Sequence, residues 1–220
     1  MTKKNNYWLH NAIYQEILLT MKVTTEMIRE LRDATGAGVL EAKKILEAVN
    51  GDFDKAVDAL REKGMARAAK RADRAASEGV IELYAHPGNR VGVIVELNCE
   101  TDFVARNEQF QILAHDLALH IAAMQPRYLK IEDVPEAELN RELDVLRSQA
   151  QAEGKPEQVV EKIIAGRVNK FYEEFCLLEQ PFVKDEKIKI KDKVTDAIRT
   201  LGENIVIRRF ARYELGEALD

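Results

Sequence analysis

The fold of this chain is decided by residues 91–107, which read VGVIVELNCETDFVARN. The alternation of apolar residues in the first half predicts a β-strand, because successive side chains of a strand point to opposite faces. Ile94 places an apolar residue on the second face as well, so we expect the sheet to be partly covered on both sides. The first face carries Val91, Val93, Val95 and Leu97.

The second half of this stretch predicts a strand-to-helix corner that carries an aromatic ring and a carboxylate. Residues 101–107 read TDFVARN, and two interpretations of Phe103 are open. In the first, Phe103 packs in the core under the sheet and Asp102 serves as a helix N-cap. In the second, Phe103 projects into another protein. Periodicity by itself favours the first.

The surrounding pattern predicts an α+β core. A strand at 80–85 and a turn of the sequence HPGN precede the strand at 90–98. A helix over 102–124 has an apolar face, and a third strand at 205–210 follows a helix over 192–201. We therefore expect a three-stranded antiparallel sheet with packed helices, within a domain that spans 80–220.

The N-terminal part predicts a separate module of three short helices over residues 21–63. Thr24 and Thr25 are N-cap candidates for the first helix. Gly51 suits a left-handed C-cap, and Asp52 suits the next N-cap. Three amphipathic helices with tight turns are typical of a ubiquitin-associated (UBA)-like bundle.

An alanine-rich segment, residues 64–79, predicts a linker helix between the two domains. Four basic residues fall at helical spacing i, i+3, i+4 and i+7 and would form one stripe: Arg67, Lys70, Arg71 and Arg74. The stripe is either a patch for RNA or an acidic partner, or the solvated face of a linker. The absence of interleaved aromatic residues favours the solvated face.

Residues 133–175 predict an inserted helical hairpin. Two apolar stripes with helical spacing flank the turn sequence EGKP at 153–156. Plain core packing of the same two helices is an equally open interpretation.

Composition narrows the class of protein. The chain has 220 residues, 46% hydrophobic and 32% charged, with a net charge of -5. Bulk electrostatics therefore gives no reason to expect direct nucleic-acid binding. Two isolated cysteines, Cys99 and Cys176, fit a reducing cytoplasm rather than a disulfide framework. Four scattered histidines predict no metal site.

Other features of the sequence argue against a membrane protein and against an enzyme. No apolar run is long enough for a membrane span, and residues 1–20 are expected to be a disordered extension. The chain has no GxxxxGK[ST] loop, no G-x-S-x-G elbow and no cluster of catalytic residue types. We therefore expect neither a cofactor nor a catalytic site.

Two motifs resemble signatures of the translation elongation factor Ts family. Residues 31–44 read LRDATGAGVLEAKK and residues 96–107 read ELNCETDFVARN, and the resemblance extends over nearly all of 21–218. It implies a guanine-nucleotide exchange factor that binds elongation factor Tu·GDP and disturbs its Mg²⁺ and phosphate site. The matching wedge residues are Thr101, Asp102, Phe103 and Val104.

The same resemblance implies further contacts and an oligomeric state. The positions that match partner contacts in the N-terminal module are Arg32, Val39 and Leu40. Val39 also fits the core face of its helix, whereas Leu40 lies off that face. Longer members of the family repeat the α/β core, so a chain with one core resembles the short form and is expected to be a homodimer.

Two other functions stay open at this point. One is a ribosome- or RNA-associated protein that uses the basic stripe together with Arg208, Arg209 and Arg212. The other is a general UBA-like recognition module, which leaves residues 101–107 without a role.

Overall fold

The computed structural model describes residues 23–152 and 157–218 of the chain. The chain divides into two compact units, residues 1–70 and 71–220. The predicted extension at 1–20 lies outside the described residues.

The first unit contains the three predicted helices, α1 (Thr25–Thr35), α2 (Val39–Ala48) and α3 (Phe53–Ala69). Thr24 caps α1, because its hydroxyl oxygen accepts a hydrogen bond from the Met27 N–H at 3.2 Å. Asp52 caps α3 in the same way, accepting from the Lys55 N–H at 3.1 Å. The helices enclose a small apolar core of Leu31, Ala37, Ala42, Leu46, Ala56 and Leu60. The UBA-like identity of the bundle stays a prediction.

The separate linker helix expected over 64–79 is not observed. Gly64 lies inside α3, which runs on to Ala69, and residues 70–73 form turns before the first strand begins at Glu78. Gly64 is buried, so this glycine continues the helix at a packed position rather than starting a new one. The basic residues beyond Ala69 therefore do not continue a helical stripe.

The second unit is built on the predicted antiparallel sheet. Its strands are β1 (Glu78–Ala85), β2 (Val91–Cys99) and β5 (Val206–Glu214), in the order β1-β2-β5. A register shift at Glu96 and Leu97 interrupts the pairing of β2 with β5. The inner face of β2 is buried as expected, through Val93, Val95, Leu97 and Cys99.

The expectation that the sheet is partly covered on both sides fails at Ile94, which is exposed in the described structure. Leu83 pairs with Ile94 across β1 and β2, and both side chains are exposed, as is Ile81 on the same face. Within the described part of the second unit, α5 packs against the inner face, and these three side chains leave an exposed apolar patch on the outer face.

The predicted helix over 102–124 is two helices, α4 (Asp102–Ala105) and α5 (Glu108–Met124). Asn107 separates them, because its side-chain oxygen accepts from the Gln109 N–H at 2.8 Å and starts α5 as an N-cap. α5 packs beneath β1 and β2 with an apolar face of Phe110, Leu113, Leu117 and Ile121.

The predicted helical hairpin is confirmed as α6 (Glu136–Ala152) and α7 (Glu157–Phe175). Leu146 packs with Val160 and Ile164 in a small cluster of its own. The predicted turn at 153–156 lies outside the described residues.

The second unit also contains a short hairpin and a buried polar cluster. The hairpin, β3 (Pro181–Phe182) and β4 (Asp185–Lys189), was not predicted, and α8 (Ile190–Leu201) follows it.

His120 on α5 is buried next to this hairpin and makes two hydrogen bonds. Its Nδ1 accepts from the Val183 N–H at 3.2 Å, and its Nε2 lies 3.0 Å from Gln180 Oε1. Since Nδ1 accepts, the ring is neutral and Nε2–H donates. Burial lowers the pKa of His120.

Candidate partner-binding site

The corner between β2 and α5 is formed by the single-turn helix α4. Thr101 has extended backbone angles and is the N-cap, since its hydroxyl oxygen accepts from the Val104 N–H at 3.4 Å. Asp102 is the first helical residue and pairs with Arg106 at 3.1 Å. The interpretation of Asp102 as the cap is therefore wrong by one residue.

Phe103 projects from this corner into solvent. Its side chain is 83% exposed, more than any other large apolar side chain in the described part of the chain. Ala105, two residues later, is buried, and Val104 is partly buried. The core interpretation of Phe103 is thus excluded, because the buried side of α4 is formed by its neighbours. A ring this exposed is available to another molecule.

Glu203 binds the start of α4 from a distant part of the sequence. Its Oε2 accepts from the backbone N–H groups of Glu100 and Thr101 at 3.1 and 3.0 Å. Its Oε1 accepts from the Thr101 hydroxyl at 2.6 Å. One carboxylate therefore holds three donors at the entrance to the helix that carries Phe103. No role for Glu203 was predicted from the sequence.

The turn that presents Glu203 is itself fixed to the same corner. Asn204 is almost fully buried. Its backbone N–H donates to Glu100 Oε1 at 2.6 Å, and its side-chain amide donates to the carbonyl oxygens of Ala72 and Arg74. Gly202 has φ +82°, a left-handed conformation that glycine adopts without strain. A glycine directly after the helix, followed two residues later by an asparagine, is the sequence signal that could have identified this turn as structural.

Cys99 adds a further contact at the end of β2. Its thiol donates to the Thr101 carbonyl oxygen at 3.1 Å. Burial, together with the neighbouring carboxylate of Glu203, raises the pKa of Cys99 to about 11. The side chain therefore stays a neutral thiol and packs as part of the corner.

The predicted contact positions of the first unit lie at the start of α2 and on α1. Leu40 is 75% exposed and Val39 is 52% exposed, whereas the core positions Ala42 and Leu46 are fully buried. The interpretation of Val39 as a core residue is therefore wrong. Arg32 is also exposed, and it lines a shallow surface groove together with Val39 and Ile28.

Three of the four basic residues in the predicted stripe have side-chain partners within their own units. Arg67 pairs with Glu41 at 2.9 Å, and hydrogen bonds from Lys63 and Arg67 lower the pKa of Glu41. Arg71 donates to the Ile198 carbonyl oxygen at 3.1 Å, and Arg74 lies 3.4 Å from Glu100.

The basic residues of β5 have similar partners. Arg209 pairs with Glu96 at 2.7 Å, and Arg212 pairs with Glu214 at 2.5 Å. Arg208 is exposed on the same strand. Arg209 and Arg212 therefore have carboxylate partners within the chain.

Residues 23–152 and 157–218 contain no group of three or more histidine, cysteine, aspartate or glutamate side chains arranged to hold a metal ion. In the same ranges, no helix combines the length and the apolar character needed to cross a membrane.

Comparison with known proteins places these features in a family. The model of the family described as elongation factor TS matches residues 10–217. The chain belongs to the elongation factor Ts family. Elongation factor Ts of Carboxydothermus hydrogenoformans is 54% identical over 197 residues, which cover 90% of this chain and 91% of that protein. Elongation factor Ts of Herpetosiphon aurantiacus is 56% identical over 196 residues, covering 89% of this chain and 99% of that protein.

Membership of the elongation factor Ts family gives this chain a role in translation elongation. The matched length also agrees with a single core, because the alignments leave little of either relative uncovered. The two motifs that suggested the family are residues 31–44 and 96–107. The first contains Leu40, an exposed apolar side chain at the start of α2, and the second contains Phe103, an exposed apolar side chain in α4.

Proposed function

We propose that this protein is a guanine-nucleotide exchange factor that binds elongation factor Tu·GDP and promotes GDP release. The observation that carries the proposal is Phe103, an exposed ring on a short helix whose start is held by three hydrogen bonds. Family membership supports the choice of elongation factor Tu as the partner. In this proposal the chain has no catalytic site or cofactor of its own and acts in the cytoplasm.

The proposed mechanism uses Phe103 as a wedge near the Mg²⁺ and phosphate site of the partner. Burying an exposed phenylalanine side chain contributes about 1.5–3 kcal/mol of binding free energy, which can offset the cost of displacing partner side chains. Mg²⁺ requires near-ideal octahedral geometry and usually bridges protein to phosphate, so a small displacement weakens nucleotide binding strongly. Thr101, Asp102 and Val104 shape and orient the wedge.

Release of the exchange factor follows from thermodynamic reciprocity. If binding of this protein weakens GDP on the partner by some factor, GDP weakens this protein by the same factor. Incoming nucleotide therefore releases the exchange factor, which can act again at substoichiometric concentration.

The first unit provides affinity in this proposal. Leu40 and Val39 present exposed apolar area at the start of α2, and Arg32 adds a guanidinium beside the groove on α1. An apolar contact flanked by an arginine is a common composition for the centre of a protein interface.

We further propose that the protein is a homodimer through the outer face of its sheet. Leu83, Ile94 and Ile81 lie on that face, and Tyr213, on β5, is exposed there as well. A contiguous apolar face of this kind is unusual on a monomer. A second copy offers a matching apolar face related by two-fold symmetry.

Light scattering of Leu83→Glu tests the dimer. We expect wild type to have the mass of two chains at micromolar concentration and Leu83→Glu to have the mass of one, because a buried unpaired carboxylate opposes association. Ile112→Glu, at an exposed isoleucine on α5, is the matched control and should leave the mass unchanged. A monomeric wild type would refute the dimer.

Direct RNA binding is the less supported alternative. Five of the six arginines that would contact phosphate already pair with carboxylates or a carbonyl oxygen: Arg67, Arg71, Arg74, Arg209 and Arg212. RNA binding would weaken steeply with added salt, whereas binding led by an apolar wedge should change little.

The decisive experiment is release of fluorescent GDP from bacterial elongation factor Tu, with and without substoichiometric amounts of this protein. We expect acceleration by orders of magnitude. Unchanged release in the presence of folded protein would refute the exchange function.

A further inference from the structure

We propose that Glu203 is a positioning residue for nucleotide exchange, which sets the orientation of Phe103 by holding the start of α4. This inference rests on the proposed exchange function. Glu203 lies 102 residues after Thr101 in the sequence and belongs to a different element, the turn between α8 and β5.

The orientation of Phe103 depends on the ends of α4 rather than on packing of the ring. The side chain is exposed and α4 has four residues. A helix of one turn is not stable by itself, because its nucleation cost exceeds the gain from so few hydrogen bonds. Its geometry must therefore come from its attachments. These include the buried Ala105, whose carbonyl oxygen accepts from Gln111 Nε2 at 2.7 Å, at one end and the Thr101 cap at the other.

Glu203 supplies the attachment at the Thr101 end. Both of its carboxylate oxygens are used, one by two backbone N–H groups and the other by the Thr101 hydroxyl. Hydrogen bonds to a charged acceptor are stronger than those between neutral groups. The Thr101 hydroxyl group donates to Glu203, and its oxygen accepts from the Val104 N–H. Glu203 therefore also fixes the orientation in which this hydroxyl caps α4.

The carboxylate is held in place on its own side as well. The Gly202 N–H donates to the Ile198 carbonyl oxygen at 3.0 Å and ends α8. Asn204 joins the turn to Glu100 and to the segment at 72–74. Glu203 thus connects the wedge corner to a fixed turn, and loss of its carboxylate would remove all three hydrogen bonds at the Thr101 end while the Asn204 contact to Glu100 remains.

The first arm of the test uses amide hydrogen exchange of the protein alone. In Glu203→Ala, the amides of Glu100 and Thr101 lose their acceptor, so the segment 100–107 should exchange faster while β2 and α5 keep their protection. Glu203→Gln keeps one acceptor oxygen and should fall between wild type and Glu203→Ala. Unchanged protection of 100–107 in both variants would overturn the proposal, whatever the exchange activity.

The second arm measures GDP release from elongation factor Tu as a function of exchange-factor concentration. We expect Glu203→Ala to lower the maximal release rate about tenfold, because small misplacement of an acting group costs one to two orders of magnitude. The half-saturating concentration should change about twofold or less, since the contacts at Leu40 are unaffected. Glu203→Gln should recover part of the rate. The matched control, Glu108→Ala, removes an exposed carboxylate near the corner and should act as wild type.

A double-mutant cycle with Phe103→Ala separates positioning from direct contact with the partner. If Glu203 acts through Phe103, adding Glu203→Ala to Phe103→Ala should change the release rate less than twofold. Multiplication of the two single effects would overturn the proposal, because it would mean that Glu203 acts independently. If wild type itself fails to accelerate release, the proposed exchange function fails, and the hydrogen-exchange arm still decides whether Glu203 holds the corner.

Discussion

Two helices in this protein begin by exposing apolar side chains, and they are fixed in different ways. At the start of α2, Val39 and Leu40 follow a turn with local hydrogen bonds, such as the Gly36 N–H to the Arg32 carbonyl oxygen at 2.6 Å. At the start of α4, Phe103 follows a cap that Glu203 holds from 102 residues away. The first arrangement is complete within its own stretch of sequence, whereas the second depends on the tertiary fold.

This difference in how the two helix starts are held matches the two functions that we propose for them, which are affinity at α2 and displacement of partner groups at α4. A contact that contributes affinity needs exposed apolar area, and a local turn is sufficient to present it. A wedge that displaces partner groups needs a defined direction as well, since its energy is useful only at the correct position. Changes at α4 should therefore affect the rate of GDP release, and changes at α2 should affect binding.

The largest expected effect is that of Phe103→Ala. We expect at least a tenfold loss of exchange activity with an unchanged melting temperature, because the ring is exposed and contributes little to the core. Fluorescent GDP release and thermal unfolding measure the two quantities. Phe110→Ala, at a fully buried phenylalanine, is the contrast and should destabilise the protein by about 3–5 kcal/mol. Equal GDP-release rates for Phe103→Ala and wild type would refute the role of Phe103 as a wedge.

A smaller effect is expected for Leu40→Ala, which should weaken partner binding about fivefold and leave the maximal release rate intact. Partial burial of a leucine side chain accounts for a change of this size. Titration calorimetry with nucleotide-free elongation factor Tu measures the affinity. Leu46→Ala, in the buried core of the same module, should instead lower stability by about 2–5 kcal/mol. A large loss of melting temperature in Leu40→Ala with normal affinity would contradict the assignment.

The local character of the first unit can be tested at its N-cap. Thr24→Ala should destabilise residues 23–70 by about 1 kcal/mol, because the Met27 N–H loses its acceptor. Pulsed hydrogen exchange at graded urea concentrations reports the two units separately. Thr24→Ser keeps the hydroxyl and should behave as wild type. Equal loss of stability in both units would show that the first unit does not unfold on its own.

The smallest expected effect is a pH dependence confined to the second unit. The pKa of His120 lies below its ordinary value of 6.5 because the ring is buried. As the pH falls, the unfolded chain therefore binds this proton at a higher pH than the folded chain does. The contribution of His120 is therefore present above about pH 6.5 and is lost as the pH falls below that value. Residues 23–70 contain no histidine.

Urea midpoints of the two units at pH 7.5 and pH 5.5 check this expectation. The second unit should lose stability on acidification and the first should not. His120→Gln should reduce the pH dependence of the second unit. An equal pH dependence in His120→Gln and wild type would show that another group is responsible.

The fold could be predicted where the signals are local. The alternating strand β2, the caps Thr24 and Asp52 and the apolar face of α5 all follow from patterns within one element. Errors arose where the outcome depended on competing or distant groups. The single helix expected over 102–124 is interrupted because the Asn107 side chain competes for the backbone.

The candidate site divides in the same way. The sequence by itself determined the family, through two motifs whose residues can be recognised without coordinates, and it determined most of the helices and strands, because helix and strand periodicity are properties of neighbouring residues. Only the tertiary structure decided that Phe103 faces solvent, that Ile81, Leu83 and Ile94 are exposed on the outer face of the sheet and that Glu203 holds the corner. Burial and hydrogen bonds between distant residues depend on how elements pack, and periodicity within one element carries no information about that packing.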